Sequence, residues 1–111
     1  MSIEALSIEE KEIVRRAISA MPALLTFEFD GRMGITEESA SLILENWPDI
    51  NDIDDESDAC FAINNSLNDL LHGIGITEEE SLELTGVNRE ELMRIYRKWA
   101  TARGWKSTGV R

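Results

Sequence analysis

Cysteine and histidine are almost absent from this chain of 111 residues, which has one of each, Cys60 and His72. A single cysteine cannot form an intrachain disulfide, which agrees with a reducing compartment. A zinc site needs several thiolate or imidazole ligands, and a thiol nucleophile needs a nearby base. Cys60 lies on the apolar stripe of a predicted helix and His72 at its carboxyl end, so we expect core packing and capping from them. The sequence therefore predicts no catalytic residue, no cofactor and no metal site.

Long apolar runs are also missing. No stretch approaches the ~18 consecutive apolar residues of a membrane span, and the chain does not open with a basic segment followed by an apolar run. Hydrophobic residues make up 42% of the chain, which is enough for one core without disulfides or metal. We therefore expect a single helical domain over residues 1–111, soluble and cytoplasmic, with no membrane contact.

Cations are scarce in most of the chain. Residues 1–87 contain 4 basic and 20 acidic residues, a net charge of −16, whereas residues 88–111 contain 7 basic and 2 acidic residues, a net charge of +5. The acidic part repels nucleic acid and anionic lipid. The basic end can attract a phosphate backbone, an acidic partner or the acidic part of the same chain. The sequence leaves these three alternatives open.

Apolar side chains recur at three- and four-residue spacings, which is typical of amphipathic helices. Ser7 and Glu10 form a capping-box pattern that predicts a helix from about Ile8, and Pro22 predicts its end. Further helices are predicted at four places: after Thr36, from the end of residues 49–58 to His72, from Thr77 to Gly86, and from Asn88 to Gly104. We expect an all-α, compact bundle of five to six helices built from two helical hairpins.

Residues 26–35 have two interpretations. Phe27 and Phe29 alternate with polar residues, and Asp30-Gly31 is a common hairpin turn, so the pattern predicts a short β-ribbon. The alternative is a helix, because Pro22 suits the first turn of a helix and Gly31 suits its carboxyl end.

The string GITEE occurs twice, at residues 34–38 and 75–79. A glycine before a helix start can belong to a phosphate-binding loop. Here, however, glutamates fill the first helical turn, where they interact with the helix dipole themselves and repel phosphate. Thr77 and Glu80 complete a capping box, and Thr36 is a plain cap. The repeated string is therefore interpreted as a helix-start signal.

Residues 49–58 carry six carboxylates without apolar periodicity, which predicts a solvated loop. Four of them alternate like the start of an EF-hand calcium loop: Asp52, Asp54, Glu56 and Asp58. The pattern then fails, because Ser57 stands where the turn requires glycine and Ile63 where a bidentate glutamate belongs. Only weak calcium binding stays open for this loop.

The segment ESLELTGVNREELMRIY, residues 80–96, resembles a bacterial helix-turn-helix. Gly86 stands at the turn, and Leu92 and Ile95 stand where the second helix packs on the first. The resemblance implies a DNA-binding unit over residues 77–104 whose second helix enters the major groove. The motif favours an apolar residue followed by a small one in the first helix, whereas this chain has Ser81-Leu82. We expect a leucine at this close contact to push the helices apart.

The sequence favours a non-catalytic protein-interaction or regulatory module, whose partner is another protein or a second copy of the chain. Arg94, Arg97 and Lys98 are the predicted partner-binding residues, because they lie on the side of their helix away from its apolar stripe. The alternative is a DNA-binding regulator that uses residues 77–104. Glu90 and Glu91, at the front of its presumed reading helix, oppose contact with phosphates.

Overall fold

A computed structural model describes residues 3–104 and places six α-helices in them. These are α1 (Ile8–Leu25), α2 (Phe29–Met33), α3 (Glu37–Glu45), α4 (Asp58–Asn68), α5 (Glu78–Thr85) and α6 (Arg89–Ala102). Short 3-10 turns occupy Ile3–Ala5 and Thr26–Glu28, and a π-helical turn, Asp69–Gly73, continues α4. Within residues 3–104 there is no strand. The predicted all-α bundle is confirmed.

Five helices, α1, α3, α4, α5 and α6, start where the sequence predicts. The side chains of Ser7, Thr36, Ser57, Thr77 and Asn88 each accept a hydrogen bond from the backbone amide three residues further on. Such bonds satisfy amides that have no partner within the helix. The capping boxes of α1 and α5 are both complete. These starts depend on neighbouring residues alone, which is why the sequence predicts them well.

The two copies of GITEE adopt the same structure. Gly34 and Gly75 have φ of 72° and 68°, in the left-handed region that favours glycine. The isoleucine that follows each glycine is buried, and the threonine is the N-cap of α3 or α5. The glutamates of both copies are exposed in the first helical turn. The interpretation of the string as a helix-start signal is confirmed.

The predicted end of α1 at Pro22 is wrong, and of the two interpretations of residues 26–35 the ribbon is wrong and the helix is correct. Helix α1 does not end at Pro22 but continues to Leu25, because Met21 and Leu25 are both buried one turn apart. Their burial outweighs the backbone hydrogen bond that proline cannot donate. Residues 26–35 form a 3-10 turn and α2 instead of a ribbon, because Phe29 and Met33 are buried four residues apart while Phe27 is exposed. This is the spacing of a helix.

One hydrophobic core contains the buried side chains. Helix α1 contacts α2, α3, α4 and α5, and α6 contacts α4 and α5. The largest buried side chains include Trp99 and Tyr96 of α6, and the Tyr96 hydroxyl donates to Asn64 Oδ1 at 2.6 Å. Burial raises the pKa of Tyr96 to about 12. The inner face of α6 is thereby fixed in the core, and its outer face is exposed to solvent.

Candidate protein-contact surfaces

The three predicted partner-binding cations are all exposed on α6, but two of them contact the acidic part of their own chain. Arg94 Nη2 lies 2.7 Å from Glu10 Oε2, and Lys98 Nζ lies 2.8 Å from Glu10 Oε1. Within residues 3–104, Arg97 forms no ion pair. The structure therefore brings Arg94 and Lys98 together on one carboxylate of α1 and leaves Arg97 facing solvent.

Glu10 holds this cluster together from a buried position. Its side chain is 8% exposed, and it also accepts a hydrogen bond from the Ser7 amide at 2.8 Å. Burial alone would raise the pKa of Glu10, but the hydrogen bonds from Lys98, the Ser7 amide and Arg94 outweigh it and lower the pKa to about 2. The sequence contained a signal for this role, since Glu10 is the polar exception on the apolar stripe of α1.

The outer face of α6 has balanced charges. Arg94 donates to both carboxylate oxygens of Glu91, at 2.8 and 2.6 Å. A concavity on this face is lined by Asn88, Glu90, Glu91, Met93, Arg94 and Arg97, which supply two anions and two cations. The basic end of the chain is thus largely neutralised by residues of the same chain where the structure describes it. This weakens its attraction for an acidic partner or for phosphates.

Helices α5 and α6 form the pair that resembles a helix-turn-helix. Gly86 ends α5 with a φ of 89°, and the Ser81 hydroxyl donates to the Val87 carbonyl at 2.7 Å. Ser81 and Thr85 are fully buried, whereas Leu82 is 53% exposed. The expectation that Leu82 separates the helices is wrong, because the helix turns the small Ser81 inward and Leu82 outward.

Asp52 leaves the acidic loop and enters the fold, where the residue is 2% exposed. Its Oδ2 accepts from Trp99 Nε1 at 2.7 Å, and its Oδ1 accepts from the Ile3 amide at 3.5 Å. The Arg103 guanidinium lies over the Trp99 ring, 5.0 Å from its centroid, and donates to the carbonyl oxygens of Asp52 and Ile53. The first residue of the EF-hand-like pattern is therefore part of the structure that joins this loop to α6.

Metal ligands do not converge in the described part of the chain, the acidic loop included. Among residues 3–104, no three or more histidine, cysteine, aspartate or glutamate side chains are placed to hold an ion. Cys60 is fully buried, as predicted for a core residue. His72 is exposed in the π-helical turn, and its capping role stays a prediction.

Asp69 is a buried carboxylate that the sequence did not mark. It begins the π-helical turn after α4 and lies 3.3 Å from Arg32 Nη2 of α2 through its Oδ1. Burial raises the pKa of Asp69, against the opposing effect of Arg32. A π-helical turn often accompanies a functional position, but here Asp69 joins two segments of the fold. We assign it a structural role.

Phe27 is the most exposed large apolar side chain among the described residues, with 98% of its surface in solvent. The residue before it, Thr26, has φ 51° and ψ −121°. Among residues 3–104, it is the only residue other than glycine that has a positive φ. Glycine normally occupies this conformation, because a β-branched side chain is strained in it. Glu28 and Asp30, beyond Phe27, are exposed as well. A strained residue thus precedes an aromatic side chain in open solvent with two anions beside it in sequence.

Within residues 3–104, no helix combines the length and the apolar character that crossing a bilayer requires. Comparison of the chain with models of protein families, with curated proteins and with solved structures found no match.

Proposed function

We propose that this chain is a non-catalytic protein-interaction module that holds a protein partner through Phe27. The observation that carries the proposal is the exposure of Phe27 after a strained Thr26. An aromatic side chain in water costs solvation free energy that burial in a partner would recover. Backbone strain is retained only where the surrounding structure imposes it, and it is concentrated at functional sites. The exposure of Phe27 and the strain at Thr26 together support a role for Phe27 in binding a partner.

The charges near Phe27 indicate the kind of partner. Glu28 and Asp30 are both exposed, and the first 87 residues carry a net charge of −16. These anions favour an apolar pocket with a cationic rim and disfavour an anionic membrane surface. The cytoplasm is the proposed location, with the buried thiol of Cys60 as the supporting observation.

The proposal is tested by purifying tagged chain from the cells that encode it and quantifying the proteins that accompany it. We expect Phe27→Ser to remove one basic protein from this set. The matched control is Leu42→Ser, because Leu42 is also exposed, at 54%. Both substitutions should leave the free energy of unfolding within about 0.5 kcal/mol of the original. Identical recoveries from the original chain and both variants would contradict the proposal.

Thr26→Gly should increase the free energy of unfolding by about 1 kcal/mol, because glycine adopts the Thr26 conformation without strain. Thr26→Ala is the control, since alanine keeps the β-carbon and hence most of the strain. Urea denaturation of the three proteins measures the difference. Equal stabilities for Thr26→Gly and Thr26→Ala would show that the turn stores no strain.

Contact between an acidic partner and Arg94, Arg97 and Lys98 stays a secondary proposal. The ion pairs with Glu10 and Glu91 leave Arg97 as the cation most open to a partner. An acidic surface that approaches Arg94 or Lys98 has to compete with carboxylates already in place. For this reason we place the main contact at Phe27.

The second candidate function is DNA binding through residues 77–104, and the observation that favours it is the close packing at Ser81. Two observations argue against DNA binding. Glu90 and Glu91 lie in the first turn of α6, and Arg94 and Lys98 are already paired with Glu10. We expect no binding of duplex DNA at about 50 mM salt and micromolar protein, where phosphate contacts are strong. Fluorescence anisotropy with a labelled duplex measures this. Binding that weakens steeply with added salt would establish the DNA-binding alternative.

A further inference from the structure

Ile8 is the first residue of α1, and 82% of its surface is exposed. A groove lies on each side of it. Ile13 and Val87 line the first groove, between α1 and the turn that joins α5 to α6, and Trp47 and Pro48 line the second. An apolar knob beside apolar grooves is a surface that can fit a copy of itself, since knob and groove belong to the same patch. We call these residues the Ile8 face.

Charges along the exposed side of α1 change sign in a way that also fits a copy of itself. Glu9 and Glu12 come first, and Arg15 and Arg16 follow. Together with Lys11, these arginines are three of the four cations in residues 1–87. Arg15 and Arg16 both donate to Glu12, at 2.8 and 3.1 Å through their Nε atoms, so two cations share one carboxylate and one positive charge is left over. The chain has a net charge of −11, but the start of α1 carries anions and cations in equal number. Within residues 1–87, this segment therefore repels another acidic molecule least.

We infer that the Ile8 face binds a second copy of this chain about a two-fold axis that passes near Glu12. The two α1 helices then run antiparallel, so Glu9 of each copy faces Arg16 of the other, because both residues line the first groove. Each Ile8 enters the groove beside Ile13 and Val87 of the second copy. The like charges outside the contact are screened over ~8 Å at physiological ionic strength. This contact lies at the end of α1 away from Phe27, so both contacts can form at once.

Sedimentation equilibrium over the micromolar to sub-millimolar range tests the contact. We expect the original chain to be a dimer at the upper concentrations and Ile8→Asp to dimerise at least about tenfold more weakly, because two apolar knobs are lost. Aspartate suits the first position of a helix, so Ile8→Asp should stay folded. The control is Ile53→Asp, whose residue is 66% exposed in the acidic loop and should dimerise like the original. A monomer throughout, or equal effects of both substitutions, would overturn the inference.

A charge exchange tests the antiparallel arrangement itself. Glu9→Lys should weaken dimerisation, because each lysine faces an arginine, and Arg16→Glu should weaken it because two glutamates then face each other. An equal mixture of the two variants restores both attractions, so native mass spectrometry should show mixed dimers well above the half of all dimers that random pairing would give. Mixed dimers in only statistical proportion would show that the helices do not meet in this way.

Discussion

Asp52→Ala should lower the free energy of unfolding by about 3 kcal/mol, because it removes one partner from a buried group of charged and polar side chains. The Asp52 carboxylate accepts from Trp99 Nε1 and from the Ile3 amide, and its Oδ2 lies 3.7 Å from Arg103 Nη1. The side chains of Asp52 and Arg103 are each only 2% exposed. Water cannot easily replace the lost acceptor, so Trp99 keeps a buried donor without its partner.

Urea denaturation measures the loss, and Asp49→Ala is the matched control. Asp49 belongs to the same acidic loop but is exposed, so its removal should change the free energy of unfolding by less than about 0.5 kcal/mol. Equal costs for Asp52→Ala and Asp49→Ala would mean that the loop does not depend on its contact with α6.

Local signals in this sequence predicted local structure well. The starts of α1, α3, α5 and α6 follow from a capping side chain and the residues one turn after it. The left-handed Gly86 follows from its place after the last turn of α5. Each of these features is decided within about four residues, the range over which side chains of one helix interact.

Contacts between distant residues were not predictable in the same way. Glu10 and Arg94 are 84 positions apart, and Asp52 and Trp99 are 47 apart, so no spacing in the sequence links them. Residues 26–35 show a different difficulty, because a short apolar run fits a strand and a helix equally well. Burial of Phe29 and Met33 on one face of α2 decided between them, and that burial depends on helices elsewhere in the chain.

Glu10→Gln should lower the free energy of unfolding by about 2 to 3 kcal/mol at pH 7, since the folded protein holds the pKa of Glu10 near 2 instead of 4.5. Glutamine preserves the size of the side chain and can still complete the capping box with Ser7, so the loss reports the charge. A folded-state pKa below the unfolded value stabilises the fold above pH 4.5. This contribution is lost as the pH falls from 4.5 through 2.

The difference in stability between the original chain and Glu10→Gln should therefore shrink by more than half between pH 7 and about pH 3. Other carboxylates titrate in the same range, but they are common to both proteins and cancel in the comparison. Glu38→Gln is the control, because Glu38 is exposed in the first turn of α3, away from this cluster, and its substitution should change the free energy of unfolding by less than about 0.5 kcal/mol at pH 7. A difference that stays constant with pH would show that Glu10 contributes through shape and not through charge.

Arg94 and Arg97 provide a matched pair of variants that tests the cations around Glu10. Both arginines are exposed on α6, three residues apart, and only Arg94 contacts Glu10. Arg94→Glu places a second anion beside the buried Glu10, whose remaining cation is Lys98, so it should lower the midpoint of thermal unfolding clearly. Arg97→Glu makes the same change of charge, but Arg97 has no ion pair among residues 3–104. This variant should leave the midpoint nearly unchanged. The effect of Arg94→Glu should also diminish at low pH, because protonation of Glu10 removes the repulsion. Equal midpoints for the two variants would mean that the cations of α6 do not stabilise the fold, and their place would then be explained better by a partner.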